Sequence, residues 1–363
     1  MMRLGNSHIL LFTLLIITGC ARETEPFPEP QPGSEHPISW SVPKINERYT
    51  RTLVDNDKLQ TLCTPDVGGA HQSIGVWGRA RVTLGNELFT YDDFVATPLY
   101  YAPRAEDTNP HSDWNYDGKL RYWRSHAVYN IRACYPLDLM TSIMTKMDAT
   151  QFQGGPLNTL ELQEDILVAA SEIDTRTFDR SKPIPLNLLH VFSALKFKVK
   201  AVEGFVPANG EGLTSCWLQN KTDAKDLFSP SGYFIHTGNF QPSIEWVTSE
   251  SSTAPMYLWK HSGVSFAKEN TLYTSNGEFT GNEYTQNDGW LLVVPQQVKE
   301  NTLSFCYTMK NSPDQSFSVN IPSITYLPGK QYVYVLEIRG SEVNIDLTIA
   351  DWNYKESSYD IIM

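Results

Sequence analysis

From about Asn46 onward, apolar and polar residues alternate with a period of two. In Leu195-Lys196-Phe197-Lys198-Val199-Lys200 one face is wholly apolar and the other wholly charged, which predicts a half-buried strand. Tyr129, Ile131, Ala133 and Tyr135 alternate with Val128, Asn130, Arg132 and Cys134. Leu303, Phe305, Tyr307 and Met309 alternate with Ser304, Cys306 and Thr308, and Val343, Ile345, Leu347 and Ile349 with Asn344, Asp346 and Thr348. Shorter strand candidates are Ser73–Trp77, Ile166–Ala170 and Leu291–Val294, the last closed by Pro295. Tyr332–Leu336 follows the turn signal Leu327-Pro328-Gly329-Lys330. One stretch has the other period: Leu137, Met140, Ile143, Met144 and Met147, just after Pro136, predict a core-facing helix.

Gly204, Pro207, Gly210 and Gly212 interrupt the alternation. The boundary is therefore drawn there, giving an N-terminal unit over 46–203 and a C-terminal unit over 204–363. The class is all-β, with two tandem β-sandwiches and a short helix in the first. No short-period repeat is present.

The start of the chain reads differently. After Met1-Met2-Arg3 comes the apolar run Ile9–Ile17, too short to span a bilayer, and then Thr18-Gly19-Cys20. This predicts a lipoprotein signal over 1–19, with Cys20 as the lipidated residue. Each methylene buried by its acyl chains contributes about 0.8 kcal/mol of membrane affinity. Alternate prolines between Glu25 and Pro37 exclude helix and sheet interior, so 20–45 is expected to be a Pro-rich tether.

The 363 residues are 12% aromatic and 19% charged, with 22 Gly and 22 Pro, a profile of an exported β-rich protein. The net charge of −12 argues against nucleic acid as a partner. Cys63, Cys134, Cys216 and Cys306 fall two to each unit and read either as one bridge per unit or as buried thiols.

The chemistry-bearing motifs are missing. There is no Gly-x-Ser-x-Gly, His-Glu-x-x-His, phosphate loop or dinucleotide fingerprint. Asp113-Trp114-Asn115-Tyr116-Asp117-Gly118 opens like a calcium loop, but its twelfth position is Arg124 where a bidentate Glu is needed, so a polar turn is expected. His190 reads as structural. Glu161, Glu164 and Asp165 could pair as glycosidase carboxylates but read first as a solvated face. No enzyme, cofactor or metal is expected.

Several segments together resemble the fimbrillin-like (type V) pilins of the Bacteroidetes surface. They are Tyr122-Trp123 with Tyr129–Pro136, Ile166–Ala170, Pro185–Leu195 around His190, Trp290–Gln296, Pro328–Tyr334 and the closing Ile349–Trp352. The likeness covers about residues 70–355. It implies two transthyretin-like Greek-key β-sandwich domains and a fimbrial or adhesive subunit of the cell surface. It also implies export as an outer-membrane lipoprotein and a cut after an arginine. The cut removes the lipid and one N-terminal strand, and another subunit's C-terminal segment fills the groove. Here Arg48 and Arg51 are the candidate cut sites. The candidate donor is the tail from Trp352 to Met363, with Tyr359, Ile361 and Ile362 as its apolar anchors. The partners implied are other pilin subunits in a homo- or hetero-polymer, the outer membrane through the lipid anchor, and a receptor or glycan on a host or bacterial surface. The alternative is a surface lipoprotein that binds glycans through exposed aromatics such as Trp114, Trp217 or Trp246.

Overall fold

The computed structural model describes residues 36–45, 54–65, 72–102, 113–116, 118–159, 162, 164–201, 213–221, 228–239, 242–249, 255–264, 270–271, 290–309, 312–339 and 342–351. Strands dominate them, with two helices of seven residues each, Asn56–Leu62 and Leu137–Ile143. The all-β expectation holds.

The first sheet has seven strands. Their spatial order is Lys44–Ile45, Asn187–His190, Leu167–Asp174, Ala127–Tyr135, Ile74–Leu84, Glu87–Tyr101 and Trp114–Tyr116. One face encloses a core that includes Ile74, Val76, Phe94, Tyr129 and Ile131.

The C-terminal half forms a sandwich. One sheet orders Asn270–Thr271, Ser193–Ala201, Lys330–Arg339 and Glu342–Asp351, with Leu291–Val293 also paired to Ser193–Ala201. The other orders Met256–Val264, Leu213–Asn220, Leu303–Met309 and Ser312–Asn320. Leu195, Phe197, Tyr332 and Tyr334 from the one meet Leu218, Phe305 and Tyr307 from the other. Phe197 stacks on Tyr334 and Phe305 at centroid distances of 5.0 and 5.4 Å.

The two halves interlock. Ser193–Ala201, the strand just before the expected boundary at 204, pairs with Leu291–Val293, Asn270–Thr271 and, in parallel, Lys330–Arg339. In the other direction, Met144–Met147, Phe152–Gly154 and Leu157–Asn158 join a sheet with Ser231–Thr237 and Ser243–Thr248. A third core joins Trp77, Cys134, Met140 and Phe152 to Phe234, Leu292 and Val333. Strand partnership follows which apolar faces meet and need not follow Gly-rich punctuation in the sequence.

Two elements differ from the sequence pattern. The helix ends at Ile143, and Met144–Met147 turns into a strand bonded to Phe152–Gly154, so sheet pairing overrides helical spacing. Strand Ala127–Tyr135 is not half exposed. Asn130, Arg132 and Cys134 on its second face are 3%, 0% and 0% exposed, Arg132 and Cys134 packing against residues of the other half.

Gly232 sits where the linking sheet packs most closely. A Cβ there would lie 2.8 Å from the Val247 carbonyl and 3.2 Å from Val294 Cγ1. Gly232→Ala is expected to cost about 1–3 kcal/mol by overpacking, read as a lower urea midpoint with an unchanged slope.

Candidate functional site

The last ten residues of the expected tether are part of the fold. Residues 36–45 run between residues 121–122, just after the edge strand Trp114–Tyr116, and residues 184–188 at the other side of the first sheet. On one side Pro37 bridges Tyr122, and the Ile38 N–H donates to the Arg121 carbonyl at 2.7 Å. On the other, Trp40 bridges Ile184, and the Ser41 and Lys44 N–H groups donate to the Ile184 and Leu186 carbonyls at 2.9 and 2.8 Å. Lys44 and Ile45 then run parallel to Asn187 and Leu188.

The sequence explains both the pairing and its interruptions. Pro37 and Pro43 lack an N–H, so a continuous ladder is not available. The alternation Ile38-Ser39-Trp40 turns two large side chains inward, and Ile45 adds a third. Ile38 and Trp40 are 0% exposed and Ile45 is 2% exposed. Trp40 meets Phe94 edge-on at 5.2 Å. Three such side chains are worth on the order of 6 kcal/mol in burial. The backbone bonds add about 0.5–1.5 kcal/mol each. The segment is thus held by its buried side chains and its backbone bonds together.

The chain is fastened again on both sides of residues 46–53. The Ile45 N–H donates to Asn56 Oδ1 at 3.0 Å, and the Val54 N–H to Asp165 Oδ2 at 3.2 Å. Asp55 caps the helix Asn56–Leu62 by accepting from the Lys58 N–H at 2.7 Å. Arg48 and Arg51 belong to 46–53, which lies outside the described residues, as do Cys20, Glu161 and the tail with Trp352, Tyr359, Ile361 and Ile362. The strand Glu342–Asp351 ends directly before that tail.

Among the described residues, Glu164 and Asp165 each have a partner of their own. Asp165 is buried against His190, whose Nδ1 lies 2.9 Å from Asp165 Oδ2. Glu164, whose carboxyl is pushed up by burial, accepts from Gln72 Nε2 at 3.2 Å, and Gln72 in turn accepts from the Tyr135 hydroxyl. Both acids fasten the fold. The opening of the near-calcium loop forms the edge strand Trp114–Tyr116 instead of a turn, and Arg124 is clamped to Asp93 at 2.8 Å.

The four cysteines are buried thiols. Burial pushes Cys63 up to about 12 and Cys306 up to about 11. Cys216 packs in the sandwich core, while Cys306, paired with its neighbour Trp217, is on the outward side of the same sheet. Of the aromatics named as sugar platforms, Trp114 is 1% exposed, which removes it. Trp246 donates its indole N–H to the Val191 carbonyl at 2.8 Å and packs against Phe192 and Phe234. Trp217 stays partly exposed.

Sequence reasoning missed Ile38, Trp40 and Ile45, although the alternation at Ile38-Ser39-Trp40 was there to find. It also had Asp165 and His190 separately and could not join them across 25 residues.

A model of fimbrillin-like proteins matches residues 70–352. The chain belongs to the fimbrillin-like family. This fimbrillin-like protein is similar to a fimbrial protein from Bacteroides vulgatus ATCC 8482, at 12% identity and TM-score 0.55, covering 88% of this chain and 100% of that one. At that identity the likeness shows a shared fold. Two further neighbours are a proposed cell adhesion protein from Bacteroides uniformis ATCC 8492 and the C-terminally truncated tip fimbrial protein Mfa3 from Porphyromonas gingivalis. The first has 14% identity and TM-score 0.46, over 77% of this chain and 91% of that one. The second has 12% identity and TM-score 0.35, over 78% and 95%. No curated protein matches the chain significantly in sequence. Family membership makes this chain a fimbrial or adhesive subunit of the cell surface, of a kind that associates with other fimbrial subunits.

Proposed function

We propose that this fimbrillin-like protein is a structural or adhesive subunit that polymerises by donor-strand exchange, with no catalytic role, after export as a lipoprotein acylated at Cys20. Its removable strand is residues 36–45, and the cut falls after Arg48 or Arg51. The observation that carries the reading is the seating of Ile38, Trp40 and Ile45. They close the first sheet from a segment that lies wholly upstream of both arginines.

Loss of that segment would expose apolar pockets and unpaired backbone groups on Ile184–Leu188, a state that recruits a replacement strand. The tail 352–363 of another subunit supplies apolar anchors in Trp352, Tyr359, Ile361 and Ile362. The Val54–Asp165 contact holds the chain downstream of both arginines on the body, so after the cut the upstream segment is held by its own non-covalent contacts, the Ile45–Asn56 bond among them.

The test is limited trypsin digestion of the full chain. The expected product is a set of heat-resistant oligomers whose new N-terminus is Tyr49 or Thr52. A chain with Arg48→Gln and Arg51→Gln should stay monomeric, and one lacking residues 353–363 should be cut and folded but unable to polymerise. Polymerisation of the uncuttable chain at the normal rate would sink the reading.

A further inference from the structure

We propose that Arg121 selects the second occupant of the place held by residues 36–45. The group it selects is a carboxylate, supplied by Asp360 in the tail of another copy of this chain. The proposal rests on the strand-exchange reading and adds to it the contact that chooses the incoming strand.

Arg121 borders the segment that would leave. Its carbonyl accepts the Ile38 N–H at 2.7 Å. Its own N–H donates to the Tyr116 hydroxyl at 3.0 Å, and that hydroxyl donates to the Ile38 carbonyl at 3.4 Å. The guanidinium carbon stands 4.7 Å from the centre of the Phe94 ring and 5.2 Å from that of Tyr116. Phe94 is the ring on which Trp40 packs. Backbone and side chain of Arg121 thus meet the same groups that seat Ile38 and Trp40.

The charge there is unanswered. Arg121 Nη1 is buried and has no hydrogen-bond partner among the described residues. Arg79, Arg81, Arg124 and Arg176 each pair with a carboxylate, and among the described residues Arg121 pairs with none. The present occupant cannot supply one, because residues 36–45 contain no Asp or Glu. A buried N–H of a cation without an acceptor opposes folding, and stacking on two rings offsets that in part. The same stacking holds the guanidinium in place, so little freedom is lost when an acceptor arrives.

The chemistry selects the occupant. Once residues 36–45 leave, the Tyr116 hydroxyl loses the Ile38 carbonyl as its acceptor. A guanidinium and a hydroxyl then offer donors side by side, a set that binds a carboxylate through charge-assisted bonds. The tail 352–363 carries two acids, Glu356 and Asp360. Glu356 belongs to the polar stretch Lys355–Ser358 and can stay in water. Asp360 stands between the apolar anchors Tyr359 and Ile361, and burying those carries it into the groove. An unpaired carboxylate there would oppose binding, so it needs a cation. Arg121 and Asp360 each supply what the other lacks. A strand of equal hydrophobicity without the acid would leave Arg121 unanswered, and this difference gives specificity.

Full chains cut with an arginine-specific protease test this. Two quantities are read: whether heat-resistant oligomers form, and how fast they lose subunits in urea. Asp360→Asn and Arg121→Met should each raise the loss rate roughly tenfold or more, and Glu356→Gln should not. Asp360→Lys and Arg121→Glu should each fail to assemble alone. A chain carrying both reversals should assemble again, because each groove then meets the opposite charge on its neighbour's tail; a purely structural role for Arg121 predicts no such rescue. Asp360→Asn oligomers as durable as natural ones overturn the proposal, and so does a folded double reversal that stays monomeric. Asp360→Asn leaves Arg121 and the core around it untouched, so it decides the matter even where Arg121→Glu does not fold. If the natural chain is cut and yields no oligomers, the strand-exchange reading itself fails and this proposal falls with it.

Discussion

Trp40→Ala is expected to lower the stability of the uncut chain by about 3–5 kcal/mol, whereas Trp40→Phe should cost little. Trp40 is fully buried, packs edge-on against Phe94 and is the largest side chain that residues 36–45 place in the core. Its truncation leaves a cavity beside Phe94 in the core of the first sheet. The indole N–H is buried without a hydrogen-bond partner among the described residues. Phenylalanine removes that unsatisfied donor and keeps an aromatic ring, so gain and loss nearly offset. Urea unfolding of the two variants measures the difference. A second consequence tests function. The segment competes with any incoming strand for the same pockets, so uncut Trp40→Ala chains should accept a synthetic 352–363 peptide faster than the natural chain. If alanine and phenylalanine behave alike, Trp40 is not the anchor of this segment.

Much of the fold was legible because its strands obey a two-residue period. Leu195 and Phe197 are inward and buried, as their alternation with lysines requires. Leu303, Phe305 and Tyr307 likewise line the sandwich core. What the pattern could not show is where a second layer lands. Strand Ala127–Tyr135 reads as one-faced because Asn130 and Arg132 are polar, yet both faces are covered. Pairing partners were equally hidden: nothing in Ser193–Ala201 announces that its neighbour is Lys330–Arg339. At the candidate site, Arg48 and Arg51 were readable as residue types. The segment they would release was mistaken for a tether because prolines dominate residues 25–37 and drew attention from Ile38, Trp40 and Ile45 just beyond. Composition describes a segment's average, while a removable strand needs only a few side chains at the right spacing.

The covered face of Ala127–Tyr135 leads to the second large effect, an acid-sensitive clamp between the two halves. Arg132 donates from Nη1 to His236 Nδ1 at 2.9 Å and from Nη2 to the Gly238 carbonyl at 3.0 Å and Asn239 Oδ1 at 3.2 Å. None of these partners is charged. Because Nδ1 accepts, His236 must be neutral with its proton on Nε2. Burial, reinforced by the adjacent guanidinium, pushes the imidazole down to about 3, and burial lowers Arg132 to about 10. A histidine whose folded value lies below its ordinary 6.5 takes up its proton first in the unfolded chain. Its neutral form therefore costs the fold nothing above about pH 6.5, and stability falls as pH drops from there toward 3. The slope is about 1.4 kcal/mol per pH unit, several kcal/mol across the window. Carboxylates such as Asp148 add their own acid dependence, so the prediction concerns the difference between chains. His236→Gln keeps an acceptor for Arg132 and removes the titration, and the double change Arg132→Met, His236→Phe replaces the clamp with an apolar contact. Both should show a flatter decline in thermal midpoint between pH 6.5 and 4 than the natural chain. Parallel curves for all three would mean that the histidine is not what couples acid to the joint.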